Sequence, residues 1–115
     1  MNGPPRVPAA NRRLSPRAAL RRQATVVIAD QSFTAETCDV SREGIGFIAP
    51  RPISPGRRCD ITFVLPISGE ERPFTATVKV SHSTYLARER FQIGASFIAP
   101  AADAAAAIDA FLGTP

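Results

Sequence analysis

The sequence has few of the residues on which catalysis and metal binding most often depend. Its 115 residues include no tryptophan, one tyrosine, one histidine and two cysteines. A structural zinc site needs about four ligands, and Cys38 and Cys59 form no CxxC pair, so no metal site is expected. A Gly-rich phosphate loop and a nucleophile–base pair are missing too, which argues against an enzyme. We expect His82 to be a surface or edge residue and the cysteines to be half-buried thiols in a reducing compartment.

Long apolar runs are also missing. No run approaches the roughly 18 residues that a membrane-spanning helix needs. The opening stretch, MNGPPRVPAANRR, has no apolar segment of the kind found in secretory signals. We therefore expect a cytoplasmic protein with no membrane insertion, and the length fits one domain.

Negative charge is absent from the first 29 residues, whereas six arginines lie within the first 22. The formal net charge of the whole chain is +4, so the positive excess is concentrated at the N-terminal end. Guanidinium groups make planar, bidentate contacts with phosphates and base edges. Residues 12–22 are therefore predicted to be a flexible arginine arm, preceded by a flexible tail over residues 1–11, which carries three prolines and a glycine.

The rest of the chain shows the pattern of an antiparallel β protein. Residues 58–66 and 74–82 alternate between apolar and polar positions, as half-buried strands do. Two connections, over residues 51–57 and 67–73, hold the Pro, Gly and Ser that turns need. The predicted fold is all-β, a six-stranded antiparallel barrel over residues 23–99, with strands at 23–30, 32–40, 44–50, 58–66, 74–82 and 91–99.

The C-terminal segment differs in character from the strands. It is rich in alanine, with Asp103 in the predicted first turn, where a carboxylate suits the helix dipole, and Gly113 at the predicted end. One short helix is predicted over residues 101–112, covering a face or an end of the barrel. Its apolar stripe consists of Ala104, Ile108, Phe111 and Leu112.

Two short motifs could carry binding chemistry. In the first, D39-V-S-R-E-G44, alternation places Asp39 and Ser41 on one side of the chain, where both could address one planar polar edge. Gly44 permits a positive φ or a close backbone approach. The same three residue types also build ordinary turns between strands, so this motif alone leaves both interpretations open.

In the second motif, R13-L-S-P-R17, two arginines four residues apart could converge on one anion. For an RxxxR pair taken alone, a solvated cationic tail is the favoured interpretation. A further alternative is a short helix over residues 16–22, capped by Ser15 and Pro16, that would lie on RNA or DNA.

The two motifs in this order, followed by four more β segments and a helix, resemble the PilZ domain family of bacterial cyclic di-GMP receptors. The family pattern is RxxxR followed by [D/N]xSxxG, and here 21 residues separate the two motifs. The segments GIGFIAP and FQIGASFIAPAADAAAAIDAFL also resemble later segments of the family. The resemblance covers about residues 11–113 and implies a PilZ domain over residues 12–113.

The resemblance also implies roles for individual residues. Arg13 and Arg17 would contact the phosphates and guanines of cyclic di-GMP, Asp39 would accept hydrogen bonds from a guanine edge, and Ser41 would add another. Gly44 would keep the turn tight enough for the base to lie against the barrel.

Arg12, directly before the first motif, is associated in the family with two stacked ligands per protomer, and we predict that stoichiometry. Arg17 and Arg21 form a second RxxxR register, which could replace or add to the first.

Three functions follow from these features. The first is a non-catalytic receptor without a cofactor, in which cyclic di-GMP orders the arm and a downstream protein reads the result. Motility, adhesion or exopolysaccharide control are the processes that the family resemblance implies. The second is a small basic β-barrel that binds nucleic acid through its arm, disfavoured because few aromatic residues are available for base stacking. The third is a degenerate PilZ domain that binds proteins alone, which the intact motifs disfavour.

Overall fold

A computed structural model describes residues 17–99 and 102–113 of the chain. The part of the chain it describes contains seven β-strands followed by one α-helix. The strands are β1 (Ala18–Ala19), β2 (Gln23–Ile28), β3 (Gln31–Val40), β4 (Gly44–Ala49), β5 (Arg58–Ile67), β6 (Glu70–Ala87) and β7 (Arg90–Phe97), and the helix is α1 (Ala102–Gly113).

The strands form two antiparallel meanders that close into one ring. The first meander is β2–β3–β4 and the second is β5–β6–β7. Two long-range antiparallel pairings, β2 with β5 and β4 with β7, join them at both sides. The ring therefore contains six strands, and the predicted all-β architecture with a C-terminal helix is confirmed. Every strand of the ring is paired with a neighbour on both sides, which limits edge-to-edge association with other molecules.

Period-two alternation accounts for the core. The inward positions from Cys59 to Leu65 on β5 and from Phe74 to Val80 on β6 are at most 8% exposed, and the predicted inward residues Ile61, Phe63 and Leu65 are completely buried. Phe63 packs against Phe74 and Phe97, with ring centroids 6.5 and 6.3 Å apart. Aromatic pairs at such distances add to the stability that apolar burial provides.

The helix covers the ring as its apolar stripe predicts. Ala104 and Ile108 are buried, while Phe111 and Leu112 are half-buried against the same core. α1 contacts β5 and β6. The described residues include no helix that is both long and apolar enough to cross a membrane.

The hairpin between β5 and β6 is tighter than the predicted turn over residues 67–73. Its loop is Ser68–Gly69, and both residues have positive φ, 51° and 82°. Two-residue hairpin loops with positive φ at both positions match the twist of the flanking strands. Pairing consequently starts at Ile67 with Glu70, and β6 is much longer than the predicted strand.

Residues 17–22, the second half of the predicted arginine arm, lie against the ring. They are extended rather than helical, and β1 pairs with the end of β3 through Ala18–Val40 and Ala19–Asp39. Leu20 is 3% exposed. Residues 17–22 therefore do not form the helix that was the alternative for this part of the chain.

Candidate functional site

A β-bulge determines where Asp39 points. In the pairing of β3 with β4, Thr37 lies opposite Phe47 and Asp39 lies opposite Gly46, so Cys38 is an extra residue on β3. Without it, alternation would turn Asp39 inward with Thr37. With it, Thr37 is fully buried and Asp39 faces outward with 31% of its side chain exposed. Bulges commonly redirect a side chain next to a functional site.

Arg17 is bonded to this carboxylate. Its Nε and Nη2 donate to Oδ1 of Asp39 at 3.1 and 2.9 Å. The Arg17 side chain is 52% exposed, so the pair is held at the surface, where an ion pair contributes at most about 1 kcal/mol to stability. An exposed pair of this kind remains accessible to a ligand. Arg17, which belongs to both RxxxR registers, makes this contact. Arg21, the second arginine of the alternative register, does not bond to Asp39.

Thr37 fastens the chain that carries Arg17. The Thr37 hydroxyl donates to the Leu20 carbonyl at 2.7 Å and accepts the Arg22 backbone N–H at 2.9 Å. It fills the gap between β1 and β2, which pair with the same edge of β3. The Leu20 N–H also donates to the Cys38 carbonyl at 2.9 Å. The arm from residue 17 onward is therefore part of the folded domain.

An ion pair further secures this segment. Arg22 Nε donates to Glu71 Oε1 at 2.6 Å, and its Nη2 donates to Oε2 at 3.1 Å. The hydrogen bond from Arg22 lowers the pKa of the Glu71 carboxyl and raises that of the guanidinium. Both oxygens are engaged, which is the bidentate geometry that favours arginine over lysine.

Ser41 and Gly44 build the turn that follows Asp39. The Ser41 hydroxyl accepts the backbone N–H groups of Gly44 at 3.2 Å and Glu43 at 3.3 Å. The Ser41 N–H donates to the Gly44 carbonyl at 2.9 Å, and the residue is 1% exposed. Ser41 is therefore buried within the turn, whereas the Asp39 side chain is 31% exposed, so the two residues do not present a shared polar edge to solvent in this conformation. In this conformation its hydroxyl stabilises the turn by accepting these two backbone N–H groups.

Gly44 is required by a close approach rather than by a positive φ. A Cβ at this position would overlap the backbone carbonyl oxygen of Ala95 on β7. The two strands are paired here, with Gly44 opposite Ser96. Of the two uses of Gly44 that the sequence left open, the structure has the close backbone approach.

A cleft of about 360 Å³ opens beside the Arg17–Asp39 pair. Arg17 and Gly44 lie on one side of it, and His82 and Gly94 on the other; the full lining is Arg17, Glu43, Gly44, Ser81, His82, Gly94, Ala95 and Ser96. Gly46 and Gly94 are directly paired, and the Asp39 carboxylate and the His82 ring occupy the space that side chains at these positions would take. A second cleft of about 340 Å³, at Thr34, Glu36, Ile48 and Arg90, is lined by none of the motif residues.

The sequence patterns did not indicate the part of the cleft beyond the motifs. His82 was expected to be merely a surface residue, and Gly46 and Gly94 were assigned no role. The available signal was a glycine inside each of two strands, because glycine in a strand interior often marks a close approach of another group.

Four of the six predicted ligand residues lie in the part of the chain that the structure describes. The structure brings Arg17, Asp39, Ser41 and Gly44 together at the ends of β3 and β4. Arg12 and Arg13 lie outside the described residues. Among the described residues, no cluster of three or more His, Cys, Asp or Glu side chains could hold a metal ion. The site offers the Arg17 guanidinium, the Asp39 and Glu43 carboxylates, the His82 imidazole and backbone groups around a cleft, which suits a planar polar ligand bearing both donors and anionic groups.

Comparison with solved structures shows the same fold. The Bacillus subtilis inhibitor of motility MotI/DgrA superposes with a TM-score of 0.72 at 14% identity, covering 84% of this chain and 47% of that one. The MrkH–c-di-GMP complex of K. pneumonia has a TM-score of 0.67 at 16% identity, covering 87% and 50%. Borreliella burgdorferi PlzA in complex with c-di-GMP has a TM-score of 0.64 at 14% identity, covering 90% and 42%. The chain spans about half the length of each of these proteins.

Comparison with known sequences identifies the family. No curated protein matches the sequence. The family model described as the PilZ domain matches residues 11–113, which include both motifs, the ring and the helix. The chain therefore belongs to the PilZ domain family.

Proposed function

We propose that this chain is a cytoplasmic, non-catalytic receptor for cyclic di-GMP. The observation that carries the proposal is the Arg17–Asp39 pair, held at the surface beside a cleft whose floor includes two glycines. Membership of the PilZ family supports this ligand, as does the similarity of fold to MrkH and PlzA, whose structures are complexes with c-di-GMP.

The chemistry of the pair fits the two ends of a guanine nucleotide. The Asp39 carboxylate is an acceptor and suits the N–H edge of guanine, which presents donors side by side. The Arg17 guanidinium suits phosphate oxygens or the guanine acceptor edge and can lie on a base plane. Each charge-assisted contact contributes about 1.5–3 kcal/mol, and a few of them would give an affinity of about micromolar.

The remaining motif residues have different proposed roles. Arg13 and Arg12 would add phosphate contacts, the latter to a second stacked ligand. Gly44 would let β4 and β7 approach closely enough to form the cleft. Ser41 would hold the turn that positions Asp39, and its hydrogen bond to the ligand would require that hydroxyl to leave its present partners.

The signal is proposed to arise from the arm. Residues 17–22 are already anchored, so ligand-dependent ordering would concern the arginines before Arg17. Once these residues close over the bound nucleotide, the arm and the cleft together form a new surface for a downstream protein.

Isothermal titration with cyclic di-GMP tests the proposal. We expect binding by the wild type and at least tenfold weaker binding for Arg13→Ala, Arg17→Ala and Asp39→Ala. Arg57→Ala, which removes an exposed arginine from the connection between β4 and β5, is the matched control and should bind like the wild type. Unchanged affinity in all three motif variants would refute the proposal.

The same proteins distinguish the competing functions. Salt-dependent gel shifts of RNA or DNA, combined with indifference to cyclic di-GMP, would instead support the nucleic-acid-binding alternative. Saturation at one ligand per protomer would reject the role of Arg12 in a second site. A pull-down with and without the dinucleotide tests for a partner that recognises only the liganded form.

A further inference from the structure

A second β-bulge, on the opposite side of the cleft from the first, determines where His82 points. In the pairing of β6 with β7, Val80 lies opposite Ala95 and His82 lies opposite Gly94, so Ser81 is an extra residue on β6. Strict alternation would turn His82 inward with the buried Val78 and Val80. Because of the bulge, His82 is exposed instead.

The imidazole then occupies a defined position on the sheet. A Cβ at Gly94 would overlap the His82 ring, so the ring lies in the space that a side chain at position 94 would take. The Ser81 hydroxyl donates to the Gly94 carbonyl at 3.0 Å and fastens the bulge to β7. The glycine and the bulge together therefore allow the ring to pack directly on the backbone of β7.

The arrangement repeats that of Asp39 on the other meander. The Asp39 carboxylate lies over Gly46, and the His82 imidazole lies over Gly94. Gly46 and Gly94 face each other across the β4–β7 pairing, where Cα atoms of opposed residues are about 4.5–5.5 Å apart. Two bulges and two paired glycines thus bring one carboxylate and one imidazole to neighbouring positions on the β4–β7 surface. Arg17 and His82 both line the resulting cleft.

We propose that His82 is a further ligand-binding residue, whose imidazole ring contacts a guanine base of the dinucleotide from the side opposite the Arg17–Asp39 pair. The inference rests on the proposed cyclic di-GMP binding and adds a residue outside both sequence motifs. An imidazole offers a flat aromatic face, and stacking on such faces holds bases with little dependence on hydrogen bonding. Asp39 reads the edge of the base, and His82 restricts its plane.

Calorimetric titration with cyclic di-GMP tests the contact. His82→Ala is expected to bind roughly fivefold or more weakly, whereas His82→Phe, which keeps an aromatic face, should stay within about threefold of the wild type. Thr84→Ala, at another exposed position of β6, is the matched control. Because His82 is exposed, the melting temperatures of the ligand-free variants should agree with that of the wild type.

A direct spectroscopic readout comes from the single histidine of the chain. With any affinity tag removed, one imidazole Cε1–H resonance is expected, and stacking under a base should move it on addition of cyclic di-GMP. An unmoved resonance at saturating ligand would overturn the inference.

The packing of the His82 ring on Gly94 is tested separately with Gly94→Ala. The added Cβ displaces the imidazole, so affinity should fall in the wild-type background and change far less in the His82→Ala background. Equal losses of affinity in both backgrounds would mean that Gly94 acts independently of His82. That result would contradict the proposed packing of the His82 ring on Gly94.

The outcomes separate the two proposals. If the wild type fails to bind cyclic di-GMP, the proposed function fails and His82 loses its ligand. If the wild type binds and Asp39→Ala does not, but His82→Ala binds as tightly as the wild type, the receptor function stands and the role of His82 is refuted.

Discussion

The carboxylate of Asp39 occupies the space above Gly46, with Oδ1 2.8 Å from the position that a Cβ on residue 46 would take. The same Oδ1 atom accepts both hydrogen bonds from Arg17. The absence of a side chain at residue 46 and the position of the acceptor are therefore coupled.

Replacing Gly46 should weaken ligand binding more than it weakens folding. In Gly46→Ala the carboxylate must move, which a terminal side-chain group does at small cost, but its hydrogen bonds change. Loss of one charge-assisted bond predicts roughly tenfold weaker binding of cyclic di-GMP. Titration calorimetry measures this, with Gly113→Ala as a control at a site where a Cβ meets open space. Wild-type affinity in Gly46→Ala would contradict the coupling.

At Gly44 the opposite balance is expected. The new Cβ of Gly44→Ala would meet the backbone carbonyl of Ala95, which cannot swing aside as a side chain can. Overpacking of this kind costs about 1–3 kcal/mol of unfolding free energy. Urea denaturation measures the loss, and the Gly113→Ala control should stay within about 0.5 kcal/mol of the wild type. A stable Gly44→Ala protein would show that β4 and β7 can separate cheaply.

Thr37 should control the arm without touching the ligand. Thr37→Val keeps the shape but leaves the Leu20 carbonyl and the Arg22 N–H without their hydroxyl partner, at a cost of about 1–3 kcal/mol. Hydrogen exchange of the Leu20 and Arg22 amides should accelerate accordingly. Thr37→Ser retains the hydroxyl and should restore most of the protection; equally fast exchange in both variants would assign the effect to packing alone.

Acid should loosen the same segment through Glu71. Arg22 lowers the pKa of this carboxyl in the folded state, so its stabilising effect is present above the unfolded value of about 4.3 and disappears as pH falls through the lower folded value. The stability difference between wild type and Glu71→Gln should therefore be constant near pH 6 and shrink below about pH 4. Denaturation at a series of pH values measures it. Glu70→Gln is the matched control, and a difference that persists to pH 2 would be inconsistent with ionisation of Glu71.

Sequence periodicity was sufficient for most of the fold. The inward residues of β5, such as Ile61 and Phe63, follow strict alternation, and the buried Ala104 and Ile108 follow the 3.6-residue period of the helix. The order of the two motifs also led to the family, which the match over residues 11–113 confirms.

The bulges could not be predicted in the same way. A single extra residue, Cys38 in β3 or Ser81 in β6, reverses the inward and outward positions that follow it, and neither residue type marks a bulge. Strict alternation through the bulges would therefore place Asp39 and His82 inward. Ser41 lies beyond the end of β3, in the turn, where period-two alternation no longer applies. The Thr37 contacts were likewise invisible, because they depend on how a segment 15 or more residues away returns to β3.

The closure of the ring has a consequence for how the nucleotide affects the whole protein. The two meanders meet at β4 and β7, and the cleft lies across that junction, with Arg17 and Gly44 from one half and His82 and Gly94 from the other. Neither half alone contains a complete cleft. A nucleotide bound there would contact both halves and stabilise their association. It should therefore slow hydrogen exchange even of distant amides that exchange through global unfolding, and it could drive two separately produced halves to reassociate.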